Sequence, residues 1–346
     1  MSSPPPSSPP PSSPSPSLIQ EHQLWTAAEE GNLSLVKSLA SDLAINVNWN
    51  GPEKSDTPLH RACRFGHLEV VQLLLTLSTI DVNAGNKGNA SPFSIACQEG
   101  HLEIVKVLLA DLRVDVNHLT RDDFTPFSMA CQNGHLEVIT LLLGDMRIDV
   151  RKPGADQCSP LWMASQFGHL PTVQLVLASG REVDTQIKSI AGSDLWHNKT
   201  AAEVAREGLN LWFDDDTEEE ATRRKDKGPL IGGLLDSFDL DPVTTRHQLR
   251  QLPHIRDPFI GEVFALVVFL SDGLLTVGTT ESLSLPPSPS PTPFHQAVRF
   301  FRIAQCLPME LQMTLCNRLF GGWKNLVLTK HSEPAFKKLG RLLAHK

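Results

Sequence analysis

Four histidines stand 34 residues apart in matching company: Gly66-His67-Leu68, Gly100-His101-Leu102, Gly134-His135-Leu136 and Gly168-His169-Leu170. Imidazoles are the commonest metal ligands, so zinc chemistry is the first reading to weigh. A zinc ion needs its ligands within ~2.3 Å. Equivalent side chains of stacked structural units lie about 10 Å apart, so these histidines are read as structural. Asp214-Asp-Asp-Thr-Glu-Glu-Glu220 could hold a hard cation. Arg223-Arg224-Lys225 follow it, and the stretch reads as a solvated, charge-alternating linker or helix. Gly232-Gly233 lacks the Gly-Lys-Ser/Thr of a phosphate loop. The six cysteines (63, 97, 131, 158, 306 and 316) include no Cys-x-x-Cys pair, which argues against a zinc site or a disulfide framework. Serine, histidine and aspartate are plentiful, but nothing places them in catalytic relation. The expectation is no enzyme, no metal and no cofactor.

Composition narrows the partners. The 346 residues suffice for two or three domains at ~150 residues each. The net charge of −8 excludes the basic footprint of non-specific nucleic-acid binding. Hydrophobic residues at 40% and charged residues at 20% exclude a wholly disordered chain. Prolines concentrate in residues 1–17 and 286–293. The first patch is Ser and Pro only after Met1, with neither the basic start nor the apolar core of a secretion signal. Its Pro-x-x-Pro and Ser-Pro matches are nearly automatic in such a composition. A cytoplasmic or nuclear location is expected.

The elements that position these residues repeat. Thr57-Pro-Leu-His-Arg-Ala-Cys63 recurs as Ser91-Pro-Phe-Ser-Ile-Ala-Cys97, Thr125-Pro-Phe-Ser-Met-Ala-Cys131 and Ser159-Pro-Leu-Trp-Met-Ala-Ser165. Thr/Ser-Pro is an N-cap followed by Pro at the first helical position. The Gly before each His supplies a tight turn into a second helix. There Leu68, Val71 and Leu75 recur at the 3–4 spacing of a buried face. One such helix pair cannot bury that face alone, so the units must stack.

These motifs resemble the ankyrin repeat, over roughly residues 22–213. A degenerate first unit starts near Gln23, and a truncated last one is visible at Thr200-Ala-Ala-Glu-Val-Ala205. The resemblance implies an all-α ankyrin-repeat solenoid of about five repeats plus a truncated one, with a smaller helical C-terminal region. Cys63, Cys97 and Cys131 stand where the family usually has Ala, and read as small buried groups. The departures carry information. The period is 34 rather than the family's usual 33. The family's His in Thr-Pro-Leu-His survives only as His60, which removes part of the usual hydrogen-bond ladder. A Gly usual two residues before the Thr is Asn89, Asp123 or Gln157 here. Gln tolerates left-handed geometry poorly, so the fifth finger, around residues 152–157, is expected to deviate or be mobile. An insertion of about seven residues is expected near Ile187–Lys199.

Ankyrin stacks generally bind proteins on a concave face of finger tips and first helices. Position by position, the resemblance implies Arg64 and Phe65, Gln98 and Glu99, Gln132 and Asn133, and Gln166 and Phe167 as partner-binding residues. At the finger tips it implies Lys87, Arg121, Asp122 and Asp156, with Trp49 as the large anchor near the first finger. The expected activity is non-catalytic protein–protein interaction by a monomer.

The expected organisation is a Ser/Pro tail over 1–20, the repeats over 21–213, a charged flexible linker over 214–256, and a helical region over 257–346 broken by a Pro/Ser loop at 281–293. The helix opened by Asp257-Pro258, about 14 residues, makes ~21 Å, short of a ~30 Å hydrocarbon core, and its apolar run Phe259–Leu270 reads as buried rather than as a membrane span or surface anchor. Phe294, Val298 and Phe301, then Leu311, Leu315 and Leu319, form two amphipathic stripes. The segment Arg299–Gly321 is similar to C-terminal regions of ankyrin proteins of fungi and other lower eukaryotes. Leu307-Pro308-x-Glu310-Leu311 also looks like the opening of an F-box, which would make the chain a substrate adaptor of a ubiquitin ligase. The same residues are equally a plain helix start.

Overall fold

The computed structural model describes residues 16–52, 55–154, 156–190, 197–207, 218–252 and 254–255. The candidate cation run up to Thr217, the Phe259–Leu270 helix, the 281–293 loop, both C-terminal stripes and the F-box-like motif lie outside the described residues. So does the Ser/Pro segment up to residue 15.

Thirteen helices and no strand occur among the described residues. They are α1 (Pro16–Glu30), α2 (Leu33–Ala40), α3 (Pro58–Arg64), α4 (Leu68–Leu75), α5 (Pro92–Glu99), α6 (Leu102–Ala110), α7 (Pro126–Asn133), α8 (Leu136–Leu143), α9 (Pro160–Gln166), α10 (Leu170–Ala178), α11 (Ala201–Glu207), α12 (Glu218–Leu240) and α13 (Pro242–Leu249). Two layers result. The inner helices α1, α3, α5, α7, α9 and α11 pack in series, as do the outer helices α2, α4, α6, α8 and α10. This is the nearest-neighbour packing of a solenoid. Helices α1 to α12 belong to one compact unit and α13 opens a second.

Each of the helices α3, α5, α7 and α9 starts for the same reason. The hydroxyl of Thr57, Ser91, Thr125 or Ser159 accepts the N–H three residues on, at 3.1–3.4 Å, and Pro occupies the first turn. Cys63, Cys97 and Cys131 are fully buried among these helices. Val70, Val71 and Leu74 of α4, and their counterparts in α6 and α8, fill the space between the layers.

Three hydrogen-bond ladders tie each repeat to the next. The histidines carry the first: His67 Nε2 donates to the Glu29 carbonyl (2.7 Å), His101 to Arg64 (2.9 Å), His135 to Gln98 (2.7 Å) and His169 to Gln132 (2.8 Å). Asparagines carry the second. Asn83 Nδ2 donates to the Arg113 carbonyl while its Oδ1 accepts the Asp115 N–H, both at 2.8 Å, and Asn48 and Asn117 do the same in their repeats. The third lies beside the extra residue of the 34-residue period. Arg113, Arg147 and Arg181 reach back to the Leu75, Leu109 and Leu143 carbonyls, at the ends of the preceding outer helices.

Several expectations need correction. The described residues of the fifth finger follow the others: Gly154 N–H donates to the Cys158 carbonyl (3.2 Å), as Asn86 does to Ala90 and Thr120 to Phe124. Gln157 takes φ 55°, matching Asn89 and Asp123. Tertiary contact overrides Gln's preference, because the Asp156 carbonyl also accepts the Ile190 N–H. Residues 191–196 of the expected insertion lie outside the described residues; on either side of them Ser189 N–H donates to the Lys199 carbonyl, at 3.0 Å. Helix α1 begins at Pro16, inside the segment expected as tail, since Pro is tolerated in a first helical turn. Within the expected linker, α12 packs on α9, α10 and α11 with Ile231, Leu235 and Phe238 buried. Asp239 accepts bonds from Thr185 and Gln186, and Asp236 pairs with Arg206.

Candidate functional site

By the family resemblance, the ends of the inner helices and the finger tips make up the expected binding face. On it Phe65 is 45% exposed, Asn133 is exposed, and Gln98, Glu99, Gln132 and Phe167 are half-buried. The finger tips leave Lys87, Arg121, Asp122 and Asp156 exposed, and Trp49 is half-buried. Backbone bonds pin two tips: Arg121 N–H donates to the Gly88 carbonyl (2.7 Å), and the Asp156 carbonyl accepts from Ile190 (2.8 Å).

Two expected binding residues are engaged within the fold. Gln166 is 8% exposed, because α9, which it ends, is covered by α11 and α12 as well as α7. Arg64 is committed internally. Its Nε and Nη2 lie 3.4 and 3.3 Å from Asp56 Oδ2, and its Nη1 lies 3.2 Å from Glu99 Oε1. The structure thus joins Arg64 and Glu99 to each other.

Asp56 is fully buried and is the centre of this cluster. Its other oxygen accepts from Asn86 Nδ2 at 2.9 Å, and Arg61 Nη1 lies 3.7 Å from Oδ2. A buried carboxylate is tolerable only when paired and hydrogen-bonded. Arg61 is sandwiched, its guanidinium carbon 4.2 Å from the Trp25 ring centroid and 5.0 Å from that of Phe65. Its Nη2 pairs with Glu29 at 2.5 Å, while its buried Nε has no hydrogen-bond partner. The His22 ring lies 5.9 Å from both Trp25 and Trp49.

Sequence reasoning missed Arg61, Trp25, His22, Glu29 and Asp56 as members of this cluster. One signal was available. Arg61 occupies the column otherwise filled by Ile95, Met129 and Met163, a charge in an apolar series.

The ladder position holds another surprise. Trp25 Nε1 donates to the Asp56 carbonyl (2.8 Å), His60 Nε2 to Ala90 (2.9 Å) and Trp162 Nε1 to Lys199 (3.1 Å). Each accepting residue directly precedes the next N-cap. Indoles therefore supply rungs where the family's His is absent. Ser94 and Ser128 turn back on their own caps, at Ser91 and Thr125.

Among the described residues no group of three or more His, Cys, Asp or Glu is placed to hold a metal ion. Among them, too, no helix is long and apolar enough to cross a membrane. Burial raises the Cys63, Cys97 and Cys131 thiols well above the ordinary range, which suits packing rather than nucleophilic attack.

The family model described as ankyrin repeats (3 copies) matches residues 24–120 and again 96–187. That stretch holds the capped inner helices, the left-handed Gly turns and the histidine ladder. Such repeats are generally protein–protein interaction modules, and residues 24–187 of the chain are similar to them.

Proposed function

We propose that the chain is a non-catalytic protein-binding scaffold, with a protein partner held on the face of inner-helix ends and finger tips. The observation that carries this reading is a division of labour along that face. Arg64, Gln166 and the ladder side chains are consumed by the fold, while Phe65, Asn133, Lys87, Arg121 and Asp122 remain exposed on neighbouring repeats. A row of polar groups around an exposed aromatic suits a protein surface. Free buried thiols at Cys63, Cys97, Cys131 and Cys158 fit a reducing compartment, and we place the protein in the cytoplasm or nucleus on that ground.

The test is affinity purification of the full chain, compared with a variant in which Phe65, Gln98, Gln132 and Asn133 are changed together to Ala. Partners lost selectively by the variant are the expected result. Identical partner sets would overturn the assignment of this face.

A further inference from the structure

The N-terminal end of the face differs chemically from the rest. Arg61 there shows what the site accommodates: a guanidinium between the Trp25 and Phe65 rings, closed at its edge by Glu29. Groups in contact with this cluster offer the same ingredients. Phe65 is 45% exposed, so part of its ring stays free beside Arg61. Trp49 is half-buried and His22 is exposed, with their rings 5.9 Å apart. Glu29 and Glu99 keep about a third of their side chains exposed (31% and 33%), and the ion pairs they make use Oε1 of each. Within the cluster the carboxylates of Glu29, Asp56 and Glu99 outnumber the guanidiniums of Arg61 and Arg64. The excess charge is negative and lies beside aromatic faces, an arrangement complementary to a planar cation.

We propose that this end of the face anchors an arginine-bearing segment of the protein partner, whose guanidinium stacks on the exposed part of Phe65 and pairs with Glu99. The proposal rests on the reading of this face as the partner surface. Arginine is favoured over lysine because a guanidinium stacks flat on a ring and forks onto a carboxylate, which an ammonium does not. An acidic segment is disfavoured by the carboxylate excess.

The test is fluorescence anisotropy of a labelled (Gly-Arg)4 peptide, with (Gly-Lys)4 as an equal-charge control, titrated with the full chain. The expected result is binding of the arginine peptide about fivefold or more tighter than the lysine peptide. Phe65→Ala and Glu99→Gln should each weaken the arginine peptide by about fivefold or more. Glu103→Gln, the same charge change on the exposed surface of α6, should leave it unchanged. Circular dichroism confirms that each variant is folded. Equal binding of the two peptides, no measurable binding, or an equal loss from Glu103→Gln would overturn the proposal. If the four-residue variant loses its partners while the peptides show no preference, the arginine anchor falls and the partner surface stands. If neither responds, both fall.

Discussion

The imidazole of His101 lies directly against Gly66. A Cβ on Gly66 would sit 2.9 Å from His101 Cε1, and the same ring donates through Nε2 to the carbonyl of Arg64, two residues earlier. The Gly that turns one repeat is thus also the floor for the histidine of the next. Gly31 with His67, Gly100 with His135 and Gly134 with His169 repeat the arrangement. The 34-residue spacing of the Gly-His pairs is a record of stacking, and it accounts for four histidines that look like metal ligands.

Gly100→Ala is expected to destabilise the protein by about 2–4 kcal/mol. Gly100 has φ 78°, where an L-residue costs roughly 1–2 kcal/mol. The new Cβ would come 2.5 Å from His135 Nδ1, so the ring must move and weaken its bond to Gln98. Guanidinium-chloride denaturation reads the loss. A shift below ~1 kcal/mol would show that the ring escapes freely.

His60 combines a rung of the ladder with a full capping box. Its Nδ1 accepts the Thr57 N–H at 3.1 Å while Nε2 donates to Ala90. His60→Ser should cost about 1–3 kcal/mol, since two buried backbone groups lose a partner. The loss is bounded because Ser94 and Ser128 occupy the same position with only local bonds.

The same histidine sets a pH dependence. Burial holds the His60 imidazole below its ordinary value of about 6.5, so it stays neutral in the fold. The unfolded chain takes up the proton first as pH falls. Stability contributed by neutral His60 is therefore complete above pH ~6.5 and declines as pH drops from there toward the lowered folded value. His60→Ser should remove that part of the slope, measured as the unfolding midpoint at successive pH values. Parallel slopes for wild type and variant would contradict it.

Cys63, Cys97 and Cys131 should resist alkylation in the folded protein. Each is fully buried, and burial raises its thiol well above the ordinary range. Cys158 is pushed up to about 12, first by burial and then by Asp156. Iodoacetamide at pH 8 with peptide mapping should label the first three only at the rate of unfolding. Rapid labelling in the absence of denaturant would refute the packing role.

What the sequence made legible was whatever repeats. The prolines at 58, 92, 126 and 160 place four inner helices, and the structure caps each as their spacing requires. What it hid depends on partners distant along the chain. Arg61 reads as a stray charge until Trp25, Phe65 and Glu29 are brought around it. Gln157 adopts a backbone that local preference disfavours, because the finger is bonded to Ile190. Trp162 looks like a broken motif until its indole meets the Lys199 carbonyl.

Helix α12 was hidden differently. Gly228, Pro229, Gly232 and Gly233 are all breakers by local rules and fall in the stretch expected as a charged linker. Yet Ile231, Leu235 and Phe238 fall at i, i+4 and i+7, the buried face of a helix. Gly232 leaves room for Arg206, whose Nε would sit 2.7 Å from a Cβ there. Since α12 covers α9, α10 and α11, it closes the C-terminal end of the repeats described here, as terminal caps of solenoids do. Leu235→Ala should therefore cost about 2–5 kcal/mol, the range for a fully buried leucine. Ending the chain at residue 213 should expose the apolar faces of α9 to α11 and lower stability further than the single substitution. Ending it after residue 240 should not. The two truncations compared by thermal unfolding and limited proteolysis decide the point: equal stability would return α12 to the status of a linker, and selective loss at 213 would make it part of the repeat domain.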